Sequence, residues 1–500
     1  MTNKILLPIL LITCLQVLGL SKSNFHDNNK IPSNKKGEVI TNFIEAYNAF
    51  DKTVFSDFVK QNFSKKFLND YTLESHIQFY TEYQYYIGKY EFECIRNYKS
   101  NENPEKLYFL VKNKHFNSYV EYMVIFDSLE NKIDELSYSA FNPATPPSYL
   151  ENKKLNEIQF IDEAKSLVKN LAENDAFSGT VLIAKGNKVL FEFATGEASK
   201  RFHTTNDLNT KINLGSINKM FTATAILKLV EQEKLSLSDT ISKFVDTSWF
   251  DISILDKITV HQLLTHTSGL GNFFNNDFIS GSRDLFRNVN DFKKLIAHDT
   301  LKFEPGTQFE YSNVGFVLLG SIIENITNMS YFEYMRVNIF SPLGMDNTDC
   351  FEMDIPIENI AIGYIVAENK VGWNNNIFLH VIKGGPSGGG FSTVKDLHKF
   401  AIALLENKII SENSIKLLWS THQNAGHFGE GLGYESYGYG TMINTEKNKQ
   451  ALGHLGGFPG ISAGFTVFPE NEYIICVLSN YDHSGIILSN HLKTLAFKVK

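Results

Sequence analysis

From Glu38 to about Leu68, apolar side chains recur at helical spacing: Val39, Phe43, Ile44, Tyr47 and Phe50, then Val54, Phe55, Phe58 and Val59. Steps of three and four predict a pair of amphipathic helices. The pattern then changes to segments dense in aromatic and β-branched residues, at 86–94, 106–111, 119–126 and 133–138, which predict four antiparallel strands. Pro143, Pro146 and Pro147 interrupt the pattern and mark a linker over 143–156. Helical spacing resumes over 157–173. Two strand-like runs follow at 180–184 and 189–194, joined by Gly186 and Asn187, which predicts a tight hairpin. Residues 220–230 are apolar on nearly all sides and read as a buried helix. Helical segments dominate to about residue 340. Strand patterns return at 460–467 and 473–479, ahead of a last helix at 484–497. Strands from both ends of this region, with helices between them, predict an α+β sandwich: an antiparallel sheet, flanking helices and an all-helical lobe. The chain thus divides into a small α+β domain over 38–142, without a catalytic constellation, and a larger domain over 157–500.

A length of 500 residues fits two or three domains, and 43% hydrophobic with 20% charged residues fits a globular chain. The net charge of −8 is spread along the chain and excludes nucleic acid as the main partner. Lys4, the apolar run from Ile5 to Leu20, and the small residues Gly19 and Ser21 read as a signal peptide over 1–21. A polar, flexible leader is expected over 22–37. Export to a bacterial periplasm or cell surface follows. Membrane contact is expected only through the N-terminal segment, if it stays uncleaved or is lipidated at Cys14, because no other run of about 18 apolar residues exists. The four cysteines, Cys14, Cys94, Cys350 and Cys476, are too sparse for a disulfide framework. No C-x-x-C and no zinc-like histidine pair occurs, so neither a metal nor a cofactor is expected.

Candidate chemistry begins at Ser216-Ile217-Asn218-Lys219, which opens the apolar helix. Residues three apart on a helix are neighbours. A serine hydroxyl needs an adjacent base, and a lysine serves only when its surroundings lower its pKa. Three further segments accompany this pair: 305–313 with Tyr311 and Asn313, 454–460 with His454, Gly456 and Gly457 ahead of a strand, and the glycine-rich 384–393. The last reads as a tight turn lining a cleft, since it lacks the lysine of a phosphate-binding loop. His266, in Leu263-Leu264-Thr265-His266-Thr267-Ser268-Gly269-Leu270, reads as a structural residue that bonds loop backbone.

These motifs resemble the serine β-lactamase and penicillin-binding protein superfamily, and within it the class C branch with its D-alanyl-D-alanine carboxypeptidases, D-aminopeptidases and esterases. Ser216 and Lys219 match S-x-x-K, Tyr311 and Asn313 match Y-x-N, and His454 and Gly456 match H-x-G. The resemblance covers roughly 160–500 and implies a β-lactamase/transpeptidase-like fold. It implies Ser216 as nucleophile, Lys219 with Tyr311 as base, and Asn313 as a substrate-binding residue. It also implies His454 and Gly456 at the substrate, with the N–H groups of Ser216 and Gly457 as the oxyanion hole. A Tyr311 phenol near two cations is expected to ionise below its usual pKa. His454 and Leu455 stand where the family carries lysine and threonine, so a carboxylate-binding hydroxyl is missing. No signature of the class A deacylating glutamate is present. The implied function is an acyl-enzyme serine hydrolase on a small ester, amide or D-amino-acid peptide. A β-lactamase or D-alanyl-D-alanine carboxypeptidase and a non-catalytic binding protein are the alternatives. The order of elements in 38–142 resembles nuclear transport factor 2-like domains.

Overall fold

The computed structural model describes residues 25–139, 141–150, 154–297, 300–367, 372–426 and 432–500. The expected signal peptide, with Cys14, lies outside the described residues. The chain forms two compact units, one reaching to Ala176 and including Asn490–Lys500, the other spanning Phe177–Ser489.

The first unit carries five strands, β1 (Phe25–Asn28), β2 (Tyr90–Tyr98), β3 (Lys106–Asn113), β4 (Ser118–Phe126) and β5 (Ile133–Tyr138), in one antiparallel sheet of sequential order. Helices α1 (Lys35–Asn48) and α2 (Lys52–Asn62) form the expected pair. Asp51 caps α2 by accepting from the N–H groups of Thr53 and Val54. Phe43 sits among Phe55, Phe58, Tyr80, Phe109 and Tyr122, with centroids 5.0–6.2 Å away.

Two features depart from the pattern. The segment expected to be a flexible leader contains β1, because Asp27 pairs with the buried Arg96 at 3.2 Å and Phe25 lies under that guanidinium. A partner 69 residues away leaves no local trace in the sequence. The strand expected at 86–94 begins instead at Tyr90, because Gln84–Ile87 is a helical turn that ends at Gly88 with φ +74.

The second unit is built on eight antiparallel strands. In chain order they are β6 (Gly179–Lys185), β7 (Lys188–Thr195), β8 (Gln423–Asn424), β9 (Ser436–Tyr437), β10 (Met442–Glu446), β11 (Lys449–Phe458), β12 (Ile461–Phe468) and β13 (Tyr473–Ser479). Their spatial order, β8-β9-β10-β11-β12-β13-β6-β7, pairs the two ends of the region as expected. Two helices carry site residues: α3 (Asn218–Glu231) and α4 (Asn313–Thr327). β12 and β13 are buried along their whole length, so they read as continuous apolar runs. α3 is buried on all sides through its first ten residues, as its unbroken apolar pattern predicts. The sequence pattern missed β10 and β11. β11 carries three glycines, which weaken any strand signal.

Candidate active site

Ser216 and Lys219 are expected on one helix face. In the structure Ser216 sits one step earlier, in a 3₁₀ turn (Gly215–Ile217) that runs directly into α3, while Lys219 is the second residue of the helix. The approach survives: Lys219 Nζ lies 3.2 Å from Ser216 Oγ. Gly215 holds the turn with φ +50, and its N–H donates to Asn213 Oδ1. Asn213 in turn donates to the Gly389 carbonyl at 3.1 Å. The glycine-rich run therefore lines the Ser216 turn.

Lys219 is 0% exposed. Burial holds its pKa well below the ordinary lysine value. Its Nζ has two further partners, Asn313 Oδ1 at 2.7 Å and the Ser387 carbonyl at 2.5 Å. Asn313 is fixed in that orientation because its Nδ2 donates to Asn272 Oδ1 at 2.9 Å. Asn313 does not cap α4. Ser312 does, accepting from the Gly315 N–H at 3.0 Å, which leaves the Asn313 side chain for the site. Ser387 and Asn272 escaped the sequence analysis. One acts through a backbone carbonyl and the other through a loop contact, and neither has a motif. Ser387 sits in a two-residue turn closed by paired hydrogen bonds between Gly385 and Gly388.

Tyr311 shares a hydrogen bond with Ser216, and its ring centroid is 4.7 Å from Lys219 Nζ. Burial pushes the phenol above its ordinary value, while the Ser216 bond pulls weakly the other way. The expected ionised phenol is thus corrected, and the Lys219 amine beside it is itself held toward neutrality.

His454, expected at the substrate, lies inside β11, fully buried, with its pKa pushed down to about 3 by burial and then by Lys219. Both ring nitrogens are engaged: Tyr437 bonds Nε2 at 3.0 Å, and the Leu455 carbonyl bonds Nδ1 at 2.5 Å. Burial keeps the Tyr437 phenol protonated. It therefore donates to Nε2, and Nδ1–H donates to Leu455. The imidazole keeps no nitrogen for a substrate, so His454 buttresses the site instead of binding from it.

His266 packs on Tyr311 at 4.3 Å and on Tyr437 at 4.7 Å. It accepts the Ser312 N–H on Nδ1 at 3.0 Å, the backbone bond expected of it. Burial, then Lys219 and His454, drive its pKa far down. Tyr311 is thus backed by two neutral imidazoles.

The register of β11 places the remaining groups. Lys449 opposite Glu446 closes one two-residue hairpin, and Phe458 opposite Ile461 closes another. Closing pairs exchange hydrogen bonds, and bonding direction alternates along a strand. Residues 449, 451 and 453 therefore bond toward β10, and 454, 456 and 458 toward β12. Both hairpins give the same phase. Leu455 and Gly457 point their N–H and C=O groups toward the β10 side, where pairing with β10 ends at Gly453. That edge meets the turn that carries Ser216. A Cβ on Gly215 would lie 2.8 Å from Gly457 N, and one on Gly456 would lie 1.9 Å from the Leu214 carbonyl oxygen and 3.1 Å from Ser216 N.

Gly456→Ala is accordingly expected to force the strand off the Ser216 turn. A displacement on the order of 1 Å costs roughly 10²-fold in rate, and the overpacking costs about 1–3 kcal/mol. Hydrolytic rate and thermal unfolding of the purified variant would both show it. Unchanged values in both would contradict the contact.

Comparison with known proteins agrees with this layout. The Beta-lactamase family profile matches residues 164–489. Penicillin-binding protein 4* of Bacillus subtilis is 28% identical over 331 residues, covering 63% of this chain and 71% of that protein. Protein flp of Staphylococcus aureus (strain COL) is 26% identical over 341 residues, 67% of this chain and 66% of that protein. Among solved structures, a penicillin binding protein from Bacillus halodurans aligns with a TM-score of 0.59 at 28% identity, over 68% of this chain and 99% of that one. With well over half of its length matched by the family profile, this chain belongs to the beta-lactamase family.

Proposed function

We propose that the protein is a serine hydrolase that forms an acyl-enzyme on Ser216, acting on an ester or a D-amino-acid peptide. One observation carries the reading. A neutral amine has two N–H donors and one lone pair, and Lys219 spends both donors on pure acceptors, Asn313 Oδ1 and the Ser387 carbonyl. Its third neighbour is the Ser216 hydroxyl. The lone pair is left to take that proton, so Lys219 is the base and the protonated Tyr311 donates to Ser216 Oγ.

In acylation, Ser216 Oγ bonds to the substrate carbonyl carbon as its proton moves to Lys219 Nζ. The backbone N–H groups of Ser216 and Gly457 take the charge that builds on the carbonyl oxygen. The bond to the leaving group then breaks. The proton passes from Lys219, by way of the Tyr311 hydroxyl, to the departing oxygen or nitrogen. In deacylation a water attacks the ester carbon, gives its proton to Lys219, and Ser216 leaves as an alcohol. His454 acts as a positioning residue, through Tyr437 and the Leu455 carbonyl.

The edge of the site also favours an ester or peptide over a penicillin. Leu455 has no hydroxyl and its side chain is buried, and His454 is neutral. Neither supplies the hydroxyl or the positive charge that a substrate carboxylate requires. The name of the Bacillus subtilis relative points to the penicillin-binding alternative. Labelling separates the two. A fluorescent alkyl phosphonate is expected to modify Ser216, read by peptide mass, while a fluorescent penicillin leaves the protein unlabelled. A penicillin adduct on Ser216 would favour the alternative, and labelling by neither probe would defeat both.

A further inference from the structure

The face of β11 that carries His454 and Gly456 continues to Phe458, one two-residue repeat (about 6.8 Å) further along the strand. The half-buried Phe458 ring packs 5.9 Å from Phe274 and 4.6 Å from His380. Phe274, also half-buried, follows two residues after Asn272, the partner of Asn313. The two phenyl rings thus meet, one from the strand that carries Gly457 and the other from the loop tied to Asn313. The His380 ring completes the patch. Its Nε2 is buried and has no hydrogen-bond partner among the described residues, and burial pushes its pKa down to about 4, so the ring is neutral.

The geometry also sets which part of a substrate meets this patch. Tyr311 lies beside His454, with ring centroids 6.2 Å apart, at the opposite end of the 454–458 segment. A leaving group must depart beside the group that protonates it, so it lies toward His454. With the carbonyl oxygen at Gly457, the acyl group extends toward Phe458.

We propose that Phe274, Phe458 and His380 form an acyl-side subsite that selects uncharged substrates with an aromatic or comparably bulky apolar acyl group. The proposal rests on the acyl-enzyme reading above. Two phenyl faces gain by removing an apolar group from water. None of the three side chains carries a charge to offset a carboxylate desolvated against them.

The test uses the full chain and three p-nitrophenyl esters, the acetate, the phenylacetate and the hemisuccinate, each rate divided by that ester's hydroxide hydrolysis rate. The phenylacetate is expected to exceed the acetate in kcat/KM by about tenfold or more, with the hemisuccinate below the acetate. Phe458→Ala and Phe274→Ala should each lower the phenylacetate-to-acetate ratio by about tenfold, and Phe458→Leu should restore part of it. A wild-type ratio near one, or a ratio unchanged in both alanine variants, overturns the subsite. Ser216-dependent turnover of the acetate in that case leaves the acyl-enzyme reading standing. No turnover of any of the three esters overturns both.

Discussion

Replacing Ser216 by alanine is expected to lower kcat/KM on p-nitrophenyl acetate by about 10⁴-fold or more and to abolish the acyl adduct in intact-protein mass spectra. The size of the effect follows from how the site is wired. Lys219 and Tyr311 both converge on Ser216 Oγ, and without that oxygen there is nothing for them to activate. What remains is the backbone donor pair, which can polarise a carbonyl but cannot attack it. Ser268→Ala serves as the control. Ser268 is buried, and its Oγ accepts the Leu270 N–H at 3.3 Å within its own loop. Adduct formation that persists in Ser216→Ala but disappears in Ser268→Ala would assign the nucleophile to the other serine.

Lys219→Met should lower kcat/KM by about 10³-fold and remove the acid limb of its pH profile. The sign of that limb follows from the buried amine. Lys219 is competent when neutral, so activity falls as pH drops through its lowered folded pKa. His454, at about 3, stays neutral across the same range and adds no second limb there. Stability gives an independent readout. Between the lowered folded pKa and the ordinary unfolded value, the unfolded chain holds a proton on Lys219 that the folded chain lacks. Unfolding free energy of the wild type therefore rises with pH in that window, by up to about 1.4 kcal/mol per pH unit. Lys219→Met lacks this contribution, so the difference between the two proteins should grow in the wild type's favour as pH increases. Denaturant unfolding at several pH values between 6 and about 10 measures it. A difference that does not vary with pH would mean that Lys219 has an ordinary pKa in the fold.

Much of this was legible one residue at a time. The helical spacing of 39–59 and the apolar runs at 460–467 and 473–479 report local geometry and burial, and the elements lie close to where the pattern puts them. The four motif residues Ser216, Lys219, Tyr311 and Asn313 are side chains with distinctive chemistry at short spacings, and the fold does bring them together. Other features left no mark. β1 depends on Asp27 meeting Arg96, and β11 is a strand despite three glycines because neighbours on both sides supply its hydrogen bonds. Phe274, His380 and Phe458 are ordinary residues in ordinary contexts, and only the fold makes a patch of them.

The sequence by itself determined the identities: a serine, a lysine three residues on, a tyrosine and an amide with one residue between them, and a leucine where a hydroxyl would be. The tertiary structure alone decided protonation and direction. Burial sets the charge of Lys219, Tyr311 and His454, because the cost of an ion depends on the atoms around it and not on its neighbours in the chain. The phase of two hairpins aims the Gly457 N–H at the turn that carries Ser216, because alternation along a strand starts wherever a turn happens to close.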